Sequence, residues 1–235
     1  MEWWAARAVA AASHGTCYVA DVGSNGGFFT LLSRAIGCRV LAVDAQPRCL
    51  ERLASAAAVN GFASGVTTVW SAVGPNASAH ISVGATRCSG LWGVVGADWI
   101  DAESSRIVSV GMRSFTEILM SSGVLPDGAA LTLLKIDTEG SEIAVLKSAL
   151  PVLRARRVAG ILVEVVPARV AAISPAADVI GTFTAMYETG YACSTDATTW
   201  MALGDLLAVF REGATVVGEQ WVCALTNRTG HPDSE

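Results

Sequence analysis

Charge is scarce in this chain of 235 residues: its 16 basic and 21 acidic side chains include only two lysines, Lys135 and Lys147. The charged share of 16% lies well below the ~25% usual for soluble proteins, and with half the chain hydrophobic this excludes intrinsic disorder. No basic stripe exists to neutralise phosphates, so nucleic acid is not an expected partner. Apolar runs of ~20 residues, the length a membrane helix needs, are also missing. The longest uncharged stretch, Leu53 to Thr86, is broken by Asn60-Gly61, Gly65, Gly74-Pro75-Asn76 and His80. Histidine is nearly absent, and His14, His80 and His231 are too far apart in sequence for a zinc-type spacing, so no metal site is assigned. No Cys-x-x-Cys pair occurs among the cysteines at 17, 38, 49, 88, 193 and 223. Lying mostly in apolar stretches, they read as structural thiols of a reducing, cytoplasmic compartment. Met1 to Ser13 lacks the positive leader of a signal peptide and reads as a surface helix. Asn76-Ala-Ser and Asn227-Arg-Thr match the N-glycosylation triplet, a pattern frequent by chance.

What the chain does have is an alternation of short apolar runs with amphipathic stretches. Tyr18–Val22, Arg39–Val43, Val66–Val73, Leu131–Asp137 and Ile161–Val166 read as strands buried on both faces. Between them, helices are expected from Phe28 to Ile36 (stopped by Gly37), from Pro47 to Asn60-Gly61, and from Ser114 to Ser121. A further helix runs from Ser141 to Leu150, ended by Pro151, and another is capped by Ser174-Pro175 and stopped at Gly190. Pro75 to Asp98 reads as a loop or short hairpin. Tyr191–Thr195 and Gln220–Thr226 are the last strands, with a short helix at Leu206–Phe210 between them. The fold class is therefore α/β: a doubly wound, mainly parallel sheet with helices on both faces and an antiparallel edge near the C-terminus. A helical segment (1–17), a single domain (18–227) and a frayed polar tail (228–235) complete the organisation.

In such sheets ligands bind beyond the carboxyl ends of the strands, where strand order reverses. After the first strand stands Asp21-Val-Gly23-Ser-Asn25-Gly26-Gly27, a glycine-rich turn opening onto a helix N-terminus. It is not the dinucleotide fingerprint, since asparagine occupies the position of the second glycine. Asp44 closes the second strand 21 residues after Gly23, placed to accept hydrogen bonds from a ribose. The densest cluster is Lys135-Ile-Asp137-Thr-Glu139-Gly140-Ser-Glu142. Glu142 is explained as a helix-dipole partner. The other carboxylates, with Glu164 inside the next apolar strand, call for a partner or a chemical role. For Glu164 an ion pair with Lys135 and a catalytic role both stand.

These segments resemble the FkbM family of S-adenosylmethionine-dependent methyltransferases, a class I Rossmann-like group. Asp21 to Thr30 resembles its first cofactor motif, Val40 to Pro47 its acidic second-strand motif, and Leu134 to Glu142 its most characteristic block. Asn60-Gly61, Ser71-Ala-Val-Gly74, Glu164 and Trp221 to Leu225 also fit, so the likeness spans Tyr18 to Asn227. Asp44-Ala45 replaces the usual Glu-Pro, the Thr-Leu-Asp pattern is only loosely kept around Ser114, and Pro75 to Asp98 follows no family pattern.

The resemblance implies methyl transfer from S-adenosylmethionine, most often to a hydroxyl of a small molecule or glycan. Gly23, Asn25 and Gly27 would hold the methionine portion, with Asp21 facing its ammonium group, Asp44 on the ribose and Ser71 beside the adenine. Asp137 or Glu139 would be the base, with Glu164 third. The rivals are a nicotinamide-dependent oxidoreductase, a non-catalytic cofactor-binding module, and a variant in which the acidic residues hold a divalent ion.

Overall fold

The computed structural model describes residues 10–75, 80–84, 88, 107–211 and 219–226. The first half of the chain forms β1 (Tyr18–Val22), α1 (Phe28–Ala35), β2 (Arg39–Asp44), α2 (Pro47–Val59), β3 (Val66–Trp70), β4 (Ala72–Val73) and β5 (His80–Gly84). Then come β6 (Ile107–Arg113), α3 (Phe115–Ser121), β7 (Leu133–Ile136), α4 (Glu142–Arg154), β8 (Gly160–Val165) and α5 (Pro167–Ile173). The last elements are α6 (Ala176–Glu188), β9 (Tyr191–Ser194), α7 (Leu203–Arg211) and β10 (Glu219–Leu225).

Continuous apolar strands need cover on both faces, and the main sheet supplies it. Its seven strands run β3-β2-β1-β7-β8-β10-β9. The first five are parallel, and β10 runs antiparallel between β8 and the edge strand β9. The expected doubly wound sheet is thus present, with its antiparallel strand one place in from the edge. Strand order reverses between β1 and β7, so the loops after these strands face one crevice. The larger core packs α3, α4 and α6 on one face, around Phe115, Leu146, Phe183 and Trp221. The opposite face carries Val19, Val40 and Leu133 with Phe29 and Leu32 of α1. Among the described residues no single helix is long and apolar enough to cross a membrane.

Several local expectations change. Val66 to Val73 is not one strand. At Ser71 the N–H bonds Asp44 O, and the hydroxyl donates to Ala72 O or Gly111 O, which turns the chain into a second sheet of order β4-β6-β5. Pro151 does not end α4, which continues to Arg154. The missing N–H and ring clash cost ~3 kcal/mol or more, and burial of Val152 and Leu153 in that extra turn offsets this. Helix α5 was not legible as a helix, and it makes Ser174 a C-terminal rather than N-terminal boundary. Phe28, whose apolar side chain together with Leu31, Leu32, Ala35 and Ile36 reads in the sequence as one core-facing stripe, is exposed in the structure. The stretch from Pro75 to Asp98 contributes β5, which pairs antiparallel with β6. Residues 76–79, 85–87 and 89–98 of that stretch, and residues 1–9 and 227–235, lie outside the described residues.

The cysteines are not thiols. They form three disulfides, Cys17–Cys38, Cys49–Cys88 and Cys193–Cys223. Topology makes these pairs: Cys17 and Cys38 precede the paired strands β1 and β2, and Cys193 and Cys223 are cross-strand neighbours in register. No spacing motif encodes such pairing. Disulfides belong to oxidising compartments, so the basis for a cytoplasmic expectation falls away.

Candidate active site

The site is assembled from the ends of β1, β2, β7 and β8. Backbone bonds first lock the loops together. Gly23 N–H and Ser24 N–H both donate to Val43 O, and Asp137 N–H donates to Val22 O at 3.0 Å. Gly23 has φ +75°, and a Cβ there would lie 1.8 Å from Asp137 O. Only glycine permits that approach, which sets the β1 loop directly against the β7 loop. Asn25 also adopts a left-handed conformation, φ 47°, which asparagine tolerates better than most residues.

Asp44 sits at the tip of β2, and both of its oxygens accept backbone bonds. Asn25 N–H donates to Oδ2 at 2.8 Å and Gln46 N–H to Oδ1 at 2.7 Å. Burial pushes its carboxyl up, against the lowering effect of those two N–H groups. Each oxygen keeps a lone pair for a further donor. Ser24, for which the sequence carries no signal, presents in the same loop a buried hydroxyl with no hydrogen-bond partner among the described residues. Trp70, at the end of β3, donates its indole N–H to Ala45 O and so braces the turn after Asp44. Gly27 begins α1, and a Cβ there would meet Leu53 of α2 at 2.4 Å. Ser71 is buried at the junction described above.

Asp21 lies deeper, with no solvent exposure. Thr30 Oγ1 donates to its Oδ2 at 2.7 Å, and Lys135 Nζ is 3.1 Å from Oδ1. Lys135, on the neighbouring strand β7, also donates to Gly23 O at 2.8 Å and lies 3.4 Å from Asp137 Oδ2. Burial opposes its charge, but Asp21 and Asp137 outweigh that, and the ammonium pKa is raised. The lysine thus ties the cofactor-type loop to the acidic cluster. Its partners are these two aspartates, not Glu164.

Asp137, Glu139 and Glu164 converge: one carboxylate oxygen from each lies within 4.8 Å of the others, and all three are half-buried. Glu139 has φ 57° and forms an ion pair with Arg169 of α5. Left-handed backbone at a non-glycine residue costs ~1–3 kcal/mol and is common at functional sites. Glu164, on β8, has its pKa raised to about 7. Burial is the main cause, followed by a hydrogen bond to Asp137 and the charges of Asp137 and Glu142. Glu142 itself is structural: its Oε1 accepts from Thr138 N–H, Thr138 Oγ1 and Gly140 N–H. Three converging carboxylates are a geometry that a divalent cation can also use. Here Lys135 and Arg169 already supply positive charge to two of them.

The Methyltransferase FkbM domain model matches residues 21–183, well over half the chain. No curated protein matches the sequence. Among solved structures, the chain is similar to the O-methyltransferase TomG from Streptomyces achromogenes, solved in complex with S-adenosylmethionine. Identity is 12% and the TM-score 0.48, with 96% of this chain and 80% of that one covered. It is also similar to precorrin-6y C5,15-methyltransferase from Geobacter metallireducens at 10% identity and TM-score 0.44, covering 95% and 87%. With the glycine loop after β1, the acid at the tip of β2 and the carboxylates after β7, the family match leads to one conclusion: this chain belongs to the FkbM family of S-adenosylmethionine-dependent methyltransferases.

Proposed function

We propose that the chain methylates a hydroxyl oxygen of a small molecule or glycan, with the Asp137–Glu164 pair taking up the proton. The carrying observation is that Asp137, Glu139 and Glu164 each place a carboxylate oxygen within 4.8 Å of the others, with the Glu164 pKa raised to about 7 by burial and by Asp137 beside it. A general base works best when its pKa lies near the operating pH. In a two-carboxylate pair, one proton is shared because like charges in contact resist double ionisation.

The residues fit the cofactor chemically. The orphan hydroxyl of Ser24 and the backbone of Gly23 to Gly27 offer hydrogen-bonding groups, and Asp44 keeps lone pairs for ribose hydroxyls. Asp21 acts here through Lys135 and Thr30, setting the loop from beneath. When bound, S-adenosylmethionine supplies an electrophilic methyl group on a positively charged sulfur. The protein's part is alignment, worth several kcal/mol of barrier, and removal of one proton. The acceptor hydroxyl donates to the ionised Asp137–Glu164 pair, which takes the proton as the oxygen gains the methyl group. Lys135 holds Asp137 from one side at 3.4 Å, and Arg169 pairs with Glu139.

The test is Glu164→Gln. S-adenosylhomocysteine should bind it as it binds the unaltered protein, while turnover of an oxygen acceptor falls 10²-fold or more, the range of general-base removal. Undiminished turnover would overturn the assignment. Loss of activity on treatment with a chelator would favour a bound divalent cation over a shared proton.

A further inference from the structure

Two of the three disulfides are sealed in the core: Cys17, Cys38, Cys193 and Cys223 are all buried. The third differs in exposure and in place. Cys49 is fully buried in the first turn of α2, just beyond Asp44, whereas its partner Cys88 is half-buried. Both sulfurs face the cofactor-type loop. Cys88 Sγ lies 2.9 Å and Cys49 Sγ 3.6 Å from Asn25 Oδ1. Asn25 is the left-handed residue whose N–H donates to Asp44 Oδ2. A contact path therefore runs from the disulfide through the Asn25 side chain to the carboxylate assigned to the ribose.

We propose that the Cys49–Cys88 disulfide is a positioning element of the cofactor site, and that its reduction by a dithiol weakens S-adenosylmethionine binding. The bridge is a wall on which Asn25 is seated. Without it, the asparagine side chain loses its backing, and the φ 47° backbone that aims the N–H at Asp44 loses a restraint. The inference rests on the reading of Asn25 and Asp44 as cofactor-binding residues. Access favours attack at this pair, because Cys88 is the one cysteine of the six that is not buried. A reductant thiolate attacks the Cys88 sulfur, the S–S bond breaks, and Cys49 leaves as a thiolate. The reductant's second thiol then displaces Cys88. The dithiol is oxidised by two electrons to its own disulfide, and the two cysteine sulfurs take up the two protons.

Calorimetric titration with S-adenosylhomocysteine tests this. The Cys49→Ser/Cys88→Ser variant should bind about 5-fold or more weakly, the lower end of ordinary coupling between sites. Asn25→Ala should also bind more weakly, and adding the two serines to Asn25→Ala should cost nothing further, because the disulfide acts through that side chain. Unchanged affinity in the double serine variant, or losses that multiply in the triple variant, would overturn the proposal. Should the serine variant fail to fold, the unaltered protein gives the reciprocal measurement. In graded dithiothreitol, read by alkylation and mass spectrometry, saturating S-adenosylhomocysteine should protect Cys49–Cys88 and leave the other two disulfides unaffected. Equal reduction of Cys49–Cys88 with and without ligand would overturn the proposal. If instead Asp44→Asn binds S-adenosylhomocysteine normally, the cofactor reading fails, a result separable from either of these.

Discussion

Glu164 concentrates the chemistry of the site at a single titratable group. Its pKa is raised from 4.5 to about 7, so the folded state holds a proton that the unfolded state has released. The protonated carboxyl therefore favours folding below pH ~4.5, and that contribution is lost as pH rises through about 7. Two outcomes follow. Turnover should rise with pH through an inflection near 7 that Glu164→Gln removes. The same variant should melt higher than the unaltered protein above pH 7, with the gap closing in acid, as read by thermal denaturation at several pH values. A second residue-scale expectation concerns Asp44, whose oxygens organise Asn25 and Gln46 and keep lone pairs for further donors. Asp44→Asn should lower S-adenosylhomocysteine affinity 10-fold or more in calorimetry. Equal affinity would remove Asp44 from the ribose. Lys135 is the structural counterpart, buried between Asp21 and Asp137. Lys135→Met strands the buried charge of Asp21, which costs ~3–5 kcal/mol. At ~2–4 °C per kcal/mol for a chain of this size, the melting temperature should fall on the order of 10 °C.

At the scale of elements, the loop after β1 and the loop after β7 are built as one piece. Gly23→Ala would drive its Cβ into Asp137 O and force a left-handed alanine. We expect ~4 kcal/mol or more of destabilisation in urea titrations, the range reserved for such clashes. Gly26→Ala meets no atom within 4 Å and should change stability little. Much of this was legible beforehand. Buried strands announce themselves by apolar runs, and Asp21, Gly23, Asn25, Gly27, Asp44 and the Asp137–Glu139 cluster stand at strand ends, where sequence order alone puts them. What escaped was made by contacts distant in sequence. Ser24 gave no signal because its orphan hydroxyl is visible only once the loop is folded. The partnership of Lys135 with Asp21, rather than Glu164, depends on the register that pairs β1 with β7. Helix α4 runs through Pro151 because packing of its last turn outweighs a local rule.

For the whole molecule, the three disulfides remove the free-thiol premise on which a reducing setting was expected. In the chain-entropy view, a bridge closing some tens of residues contributes roughly 3–4 kcal/mol. Full reduction should therefore lower the melting temperature markedly, whatever it does to the cofactor. The 163 residues from 21 to 183 matched by the family model hold every cofactor and acidic residue discussed here. The most direct measurement is transfer of a labelled methyl group from S-adenosylmethionine to a panel of hydroxylated small molecules and glycans, run in parallel with Glu164→Gln. Label is expected on an oxygen, with the signal lost in the variant. Label on nitrogen or carbon, or equal transfer by Glu164→Gln, would contradict it.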